Sequence, residues 1–245
     1  MQIKTIITLL FSISNMFVLV AISWFLLYQS NFLYGFWHDH GGIQQKIERY
    51  APQNRNIKGF ENTSKIERTR VFKRINYAVH IDKTILSTIT FITKDDTEKT
   101  LLTQDEILHL EDVANLIRIL YYFMVVMVLL WAYLLAKHIK SYNQFPSLLG
   151  QTKSVGGFIG VIGLSVIFVG PTKAFYWLHD VIFPDNHKWF FYYQDSLMST
   201  LMAAPDLFGW IAIEWVLLFS ICFYFMHLGL KKLHFKMHIQ HTSAN

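Results

Sequence analysis

The sequence predicts an all-α membrane protein with four transmembrane helices, a mostly helical extracytoplasmic segment and one short β-hairpin. Three observations carry that prediction. Apolar residues make up 53% of the 245-residue chain and the mean hydropathy is +0.29, more than an ordinary soluble domain carries. They are gathered into four windows, residues 5–28, 116–136, 156–178 and 208–230, each long enough for the roughly 20 helical residues that cross about 30 Å of hydrocarbon. Lysines flank these windows on one side: Lys4 before the first, Lys137, Lys140 and Lys153 between the second and third, and Lys231, Lys232 and Lys236 after the fourth. By the positive-inside rule those flanks are cytoplasmic, which leaves the long segment 29–102 outside by alternation.

The expected layout is a first transmembrane helix over 1–28, an extracytoplasmic segment over 29–102, and a second membrane helix over 103–137 that begins as an amphipathic stretch. A cytoplasmic loop over 138–155, a third helix over 156–178, an interfacial loop over 179–207, a fourth helix over 208–230 and a cytoplasmic tail over 231–245 complete it. The first window is longer than a secretion-signal core and no small-x-small cleavage site follows it, so it reads as an uncleaved anchor. The formal charge of +5 resides in short membrane-flanking groups rather than in a nucleic-acid-binding motif, which argues against a nucleic-acid partner. The single cysteine, Cys222, falls in the fourth window, so the chain has neither a disulfide framework nor a Cys-based metal motif.

Taken in order, the first window carries Ser12, Ser14, Asn15 and Ser23, a polar face suited to bonding with other helices. Trp37-His38-Asp39-His40 reads either as an interfacial turn before two glycines or as part of a metal site. Ser64 with Glu67 forms a capping box, and Ile66, Val71, Phe72, Ile75 and Val79 follow helical spacing, which predicts a helix over 64–81. Residues 88–93 alternate in the strand manner before the Lys94-Asp95-Asp96 turn, which predicts a hairpin ending near Leu102. Thr103 with Glu106 is a second capping box, so a helix begins at about Thr103 and carries Asp105, His109 and Asp112 on roughly one face.

Arg118, two turns beyond Asp112, can snorkel to headgroups or pair with a carboxylate. Gly156, Gly160 and Gly163 offer a small-residue edge for close helix packing, and Pro171 is expected to bend the third helix. The aromatic stretch 173–195, mixed with charge, suits the headgroup layer and puts His179 and Asp180 at the depth of His109. Glu214 lies two turns inside the fourth window, where an ionised group needs a partner or a cavity, and Lys173 is the expected partner. The tail histidines His234, His238 and His241 read as incidental to a basic tail.

Two of these motifs resemble the bacterial lipoprotein intramolecular transacylase family of four-span membrane proteins. The first is the acidic helix start leading to His109, Asp112 and Val113; the second comprises His179, Phe183, Pro184, the aromatic run 189–193, Asp195, Leu197 and Pro205. The chain departs from the family's first motif at Leu110, commonly Met, and the middle of the outer segment looks unrelated. The resemblance implies a multi-pass protein of the bacterial cytoplasmic membrane with an outward-facing site and no cofactor, whose partners are diacylglyceryl-modified lipoproteins and membrane lipids. It implies transfer of the sn-2 acyl chain of such a lipoprotein to the amine of its own N-terminal cysteine, with His109 and His179 as the catalytic pair.

The residues fit that chemistry. Ester aminolysis needs a base for the ammonium and an acid for the departing alkoxide, and imidazole serves either role near neutral pH. Asp112 and Asp180 are candidates to orient the two rings, and Arg118, Lys173, Trp189, Asp195 and Glu214 complete the supporting or substrate-binding set. The alternatives are a metal-dependent membrane lipid hydrolase built on His109, Asp112, His179 and Asp180, and a non-enzymatic transporter or assembly factor using Glu214 and Lys173. The second meets no inverted repeat in the sequence.

Overall fold

The computed structural model describes residues 2–141, 145–184 and 186–242. Asp185 of the aromatic stretch, residues 142–144 of the expected cytoplasmic loop and the end of the tail lie outside the described residues. The chain runs α1 (Gln2–Gln29), α2 (Tyr34–His40), α3 (Ile43–Tyr50), α4 (Lys65–His80), β1 (Thr90–Ile92), β2 (Glu98–Thr100), α5 (Gln104–Ser141), α6 (Leu148–Val169), α7 (Pro171–Ile182), α8 (Leu197–Met202) and α9 (Asp206–Thr242). Short 3₁₀ turns link several of the outer elements. Among the described residues four helices, α1, α5, α6 and α9, are long and apolar enough to cross a membrane. The protein is therefore the all-α, four-span membrane protein that hydropathy indicates.

Contacts divide the chain into two compact units. The first holds residues 1–25, 121–175 and 215–245. Its core gathers Ile7, Phe11, Leu134 and Leu230, with Trp131, Leu135, Phe145 and Met226 packed against it. The polar face of α1 is turned inward, as expected: Ser12, Ser14, Asn15 and Ser23 are fully buried. The serine hydroxyls donate to carbonyls one turn back, Asn15 Oδ1 accepts from Trp131 Nε1 at 2.9 Å, and Ser23 Oγ accepts from Trp215 Nε1 at 2.9 Å. Outward faces are greasy instead; Leu129 is 67% and Phe168 93% exposed, the surface a helix offers to lipid.

The third span differs from the hydropathy window. Its helix, α6, begins eight residues before the window at Leu148, where Ser147 Oγ accepts from Gly150 N at 3.1 Å, and it stops at Val169. Gln151, Thr152, Lys153 and Ser154 lower the hydropathy of the first turns and hide them from a window average. Gly170 adopts φ +97°, a conformation that favours glycine, and Pro171 opens the separate helix α7 rather than bending one continuous helix.

The second unit holds residues 26–120 and 176–214. Helix α4 is capped as its sequence indicates, Ser64 Oγ accepting from Glu67 N. The hairpin is antiparallel, with Thr90 opposite Thr100 and Phe91 opposite Lys99. Alternation buries Phe91 fully, edge-on to Phe60 at 5.1 Å. Tyr34 stacks on Phe72 at 4.1 Å and donates its hydroxyl to Leu201 O at 2.9 Å, tying α2 to α4 and α8. His38 is buried, with Nδ1 2.8 Å from Asp39 Oδ1 and Nε2 3.3 Å from Arg68 Nη1. Burial holds its pKa below the ordinary imidazole range. This is a packed polar network under α4, the structural rather than the metal-binding reading of the His38-Asp39-His40 stretch.

Candidate active site

The site is built on the first turns of α5. Thr103 precedes the helix and donates both its backbone N–H, at 2.6 Å, and its hydroxyl, at 2.8 Å, to Glu106 Oε2. The other carboxylate oxygen accepts from Ser196 Oγ and from Met198 N, at 3.2 Å for the latter. Glu106, with no exposed surface, therefore ties the start of α5 to the start of α8 as well as capping its own helix. The sequence shows the capping box but not this second pair of bonds, whose donors lie 90 and 92 residues away.

One turn along, His109 projects into an aromatic enclosure. Its ring centroid is 4.9 Å from that of Phe183 and 5.7 Å from that of Phe191, and its buried Nδ1 has no hydrogen-bond partner among the described residues. His179, on α7, stacks on the same Phe183 at 5.5 Å and 26° and meets Trp189 at 4.6 Å. Phe183 is 8% exposed, so one buried ring is a wall for both imidazoles. The two histidines lie no farther apart than those two centroid distances laid end to end. Position 183 follows His179 by four residues, and its amide donates to His179 O at 2.9 Å, which continues the helical turn and fixes the spacing.

Asp112 follows His109 by three residues, but its carboxylate does not bond either member of the expected pair. Oδ2 lies 2.6 Å from Nδ1 of His187, in the loop after α7, and both side chains are mostly buried. Within the candidate site, His187 is a residue that sequence reasoning misses. Its only signal is membership in the aromatic stretch, because its partner is 75 residues away. The same loop is anchored at its far end: Arg55 N donates to Gln194 O at 2.7 Å, Arg55 Nη1 reaches Asp195 Oδ1 at 3.3 Å, and Asn56 Nδ2 donates to Asp195 O at 3.1 Å.

Of the residues singled out in the sequence, His109, His179, Asp112 and Trp189 thus come together. The others stand apart. Asp180 is exposed rather than set against a ring, Arg118 and Lys173 are exposed, and Asp195 serves as a loop anchor. Glu214 is buried and accepts from Trp37 Nε1, an indole in the place that charge pairing assigns to Lys173. Trp37 in turn stacks on Trp210 at 4.6 Å and 11°. Among the described residues no three His, Cys, Asp or Glu side chains converge as a metal site would require. The arrangement offers imidazoles at a partly dry, aromatic-walled surface, suited to moving protons beside an apolar substrate.

The family model for lipoprotein intramolecular transacylase Lit matches residues 2–204. Among curated protein sequences nothing matches. Among solved structures, those of the membrane-integral lipoprotein intramolecular transacylase Lit from Bacillus cereus share the fold. A variant with a histidine-to-arginine mutation aligns with a TM-score of 0.66 at 19% identity over 94% of this chain and 93% of that one. A histidine-to-alanine variant gives the same score and identity, and a third structure gives 0.61 at 20% identity over 94% and 97% of the two chains. The family model covers most of the sequence, and the chain belongs to the lipoprotein intramolecular transacylase family.

Proposed function

We propose that this protein transfers the sn-2 acyl chain of a diacylglyceryl-modified bacterial lipoprotein to the α-amine of the lipoprotein's own N-terminal cysteine. It works in the cytoplasmic membrane with its site facing outward, and it leaves an N-acylated lyso-form product. Family membership supports the transacylase class. The observation that carries the finer reading is the pair of imidazoles, His109 and His179, packed on one buried ring, Phe183.

Donor ester and acceptor amine belong to one molecule, so folding the substrate brings them together without a covalent enzyme intermediate. Well-oriented intramolecular reactions reach effective molarities of about 10⁵ M or more, which is on the order of 7 kcal/mol of barrier. The amine nitrogen attacks the ester carbonyl carbon, the carbonyl-to-glyceryl oxygen bond breaks, and the sn-2 oxygen leaves as an alkoxide that must be protonated. One imidazole takes an N–H proton from the attacking amine and its neighbour delivers one to the leaving oxygen; the shared wall keeps both beside the same headgroup. Aromatic side chains on both rings limit water, which favours aminolysis over hydrolysis of the ester.

The test is mass spectrometry of a lipoprotein's N-terminal peptide from cells with and without the gene. A shift from free-amine diacyl to N-acyl lyso form that requires the gene, and that disappears in His109→Ala and His179→Ala, is the expected result. An unchanged N-terminus in cells carrying the protein refutes the reading.

A further inference from the structure

We propose that His187, held by Asp112, is a third working histidine of this site and accepts the first proton shed by the substrate's N-terminal ammonium. The inference rests on the acyl-transfer reading above and adds to it the destination of a proton that the two-histidine scheme leaves over.

Proton bookkeeping calls for such a group. The cysteine nitrogen enters as an ammonium with three protons and ends as an amide with one. The leaving glyceryl oxygen takes up only one proton. One proton must therefore pass to a base before the nitrogen lone pair can attack; the other moves from the attacking nitrogen to the departing oxygen. His109 and His179, which share one wall, suit the second transfer. The first needs a base that starts neutral and gains a cation's charge, which a carboxylate behind the ring stabilises.

His187 has that arrangement. Its Nδ1 is 2.6 Å from Asp112 Oδ2, so Nδ1–H donates to the carboxylate and Nε2 is left as the acceptor. Among the described residues no carboxylate bonds His109 Nδ1, which is buried, so that ring lacks the backing that Asp112 gives His187. Position follows from the chain. Asp112 lies three residues after His109 on α5, and His187 N donates to Pro184 O at 2.9 Å in the turn that leaves Phe183, the ring both other histidines touch. Two residues on, Trp189 lies against His179, and Phe191 lies against His109. The His187 side chain keeps 23% of its surface accessible, enough for an ammonium to approach. Among the described residues the titratable and charged groups on the elements this loop packs against are Asp105, Glu106, His109, Glu111, Asp112 and Arg118 at the start of α5 and Lys173, Tyr176, His179 and Asp180 of α7; Lys188 follows in the loop itself, its ammonium 5.2 Å over Phe191.

The deciding variant is His187→Gln, whose side-chain amide can still donate to Asp112 and hold the loop but cannot take a proton. Full-length protein in lipid vesicles would be given a synthetic diacylglyceryl lipopeptide with a free N-terminal amine, and N-acyl lyso product followed by mass spectrometry across pH. Below the amine's own pKa of about 7.7–8.0 the substrate arrives as an ammonium; above it, as a neutral amine that no longer needs this base. Near pH 7, below the amine's pKa and above the ordinary imidazole value of about 6.5, kcat should fall by about 100-fold or more with KM little changed, the usual contribution of general base catalysis. At about pH 9 the deficit should shrink by at least about 10-fold. A deficit that is the same at every pH, or that falls on KM, means a purely structural loop contact and overturns the proposal, as does wild-type activity throughout. If the Gln variant does not accumulate in the membrane, His187→Ala decides: product restored by added imidazole supports the proposal and product not restored overturns it. A wild-type protein that makes no lyso product overturns the acyl-transfer reading itself, an outcome distinct from any seen only in the variants.

Discussion

Replacing Glu106 with Ala should destabilise the protein more than any other single substitution at an acidic residue of α5. Its carboxylate accepts from four donors, Thr103 N, Thr103 Oγ1, Ser196 Oγ and Met198 N, and the side chain has no exposed surface. Truncation leaves all four without that acceptor. The two at Thr103 are half-buried and partly recoverable by water, and losing this half of the capping box costs about 1 kcal/mol. The two at the start of α8 are buried, and an orphaned buried donor costs about 1–3 kcal/mol. Together these give a loss of about 3–7 kcal/mol. At about 2–4 °C per kcal/mol for a chain of this size, the unfolding midpoint in detergent should drop by about 6–28 °C. Glu106→Gln, which keeps one acceptor oxygen but points an amide at two donors, should fall between. Asp105→Ala, at an exposed neighbour in the same turn, should stay within about 0.5 kcal/mol of wild type. A midpoint for Glu106→Ala equal to that of Asp105→Ala would show that the carboxylate does not join α5 to α8 and would refute the reasoning.

The remaining predictions concern the site and its surroundings. The double variant His109→Ala with His179→Ala should make no less lyso product than either single variant, because residues acting as a unit are non-additive; a further drop measured by mass spectrometry would mean they act independently. Phe183→Ala should cost about 3–5 kcal/mol of stability and also lower kcat, since it removes the wall both imidazoles lean on; loss of stability at full turnover would dissociate the two. Gly41→Ala should be destabilising by about 1–3 kcal/mol, because the new Cβ would stand 2.8 Å from Trp37 O and 3.1 Å from Trp210 Nε1, and chemical denaturation would read it. A reporter fused after Lys140 should behave as cytoplasmic, and periplasmic reporter activity there would invert the orientation read from the lysines.

What the sequence reveals follows the range of the interaction involved. Both capping boxes are visible because Ser64 with Glu67 and Thr103 with Glu106 act within one turn, and both helices start where those pairs indicate. The hairpin is visible because alternation and the turn at Asp95-Asp96 are local. The inward face of α1 is visible because four polar side chains have no comfortable place in lipid. The third span is misplaced by hydropathy because residues 170–178 continue its apolar run, whereas the break depends on a backbone angle at Gly170 that no hydropathy value encodes. At the site, His109 and His179 are legible through their motifs. The partners of Asp112, Glu106 and Glu214 are not, because His187, Ser196 and Trp37 lie 75, 90 and 177 residues away and carry no periodic signal.

Helix α5 runs for 38 residues without interruption from its cap into the membrane. His109 precedes the apolar stretch that opens near Leu116 by seven positions, which at about 1.5 Å per residue is about 10 Å along the helix axis. The helix thus acts as a depth gauge. On the proposed function, the ester linkages of the substrate lie at the boundary between acyl tails and headgroups, and a side chain mounted on a continuous helix is carried at one height along it. Inserting one alanine between Glu111 and Leu116 would raise His109 by only one helical step but turn it by about 100° relative to the spanning part of the rod. Height and azimuth are therefore set by the same count of residues, so an insertion or deletion in this short polar lead is tolerated less than a change in side chain.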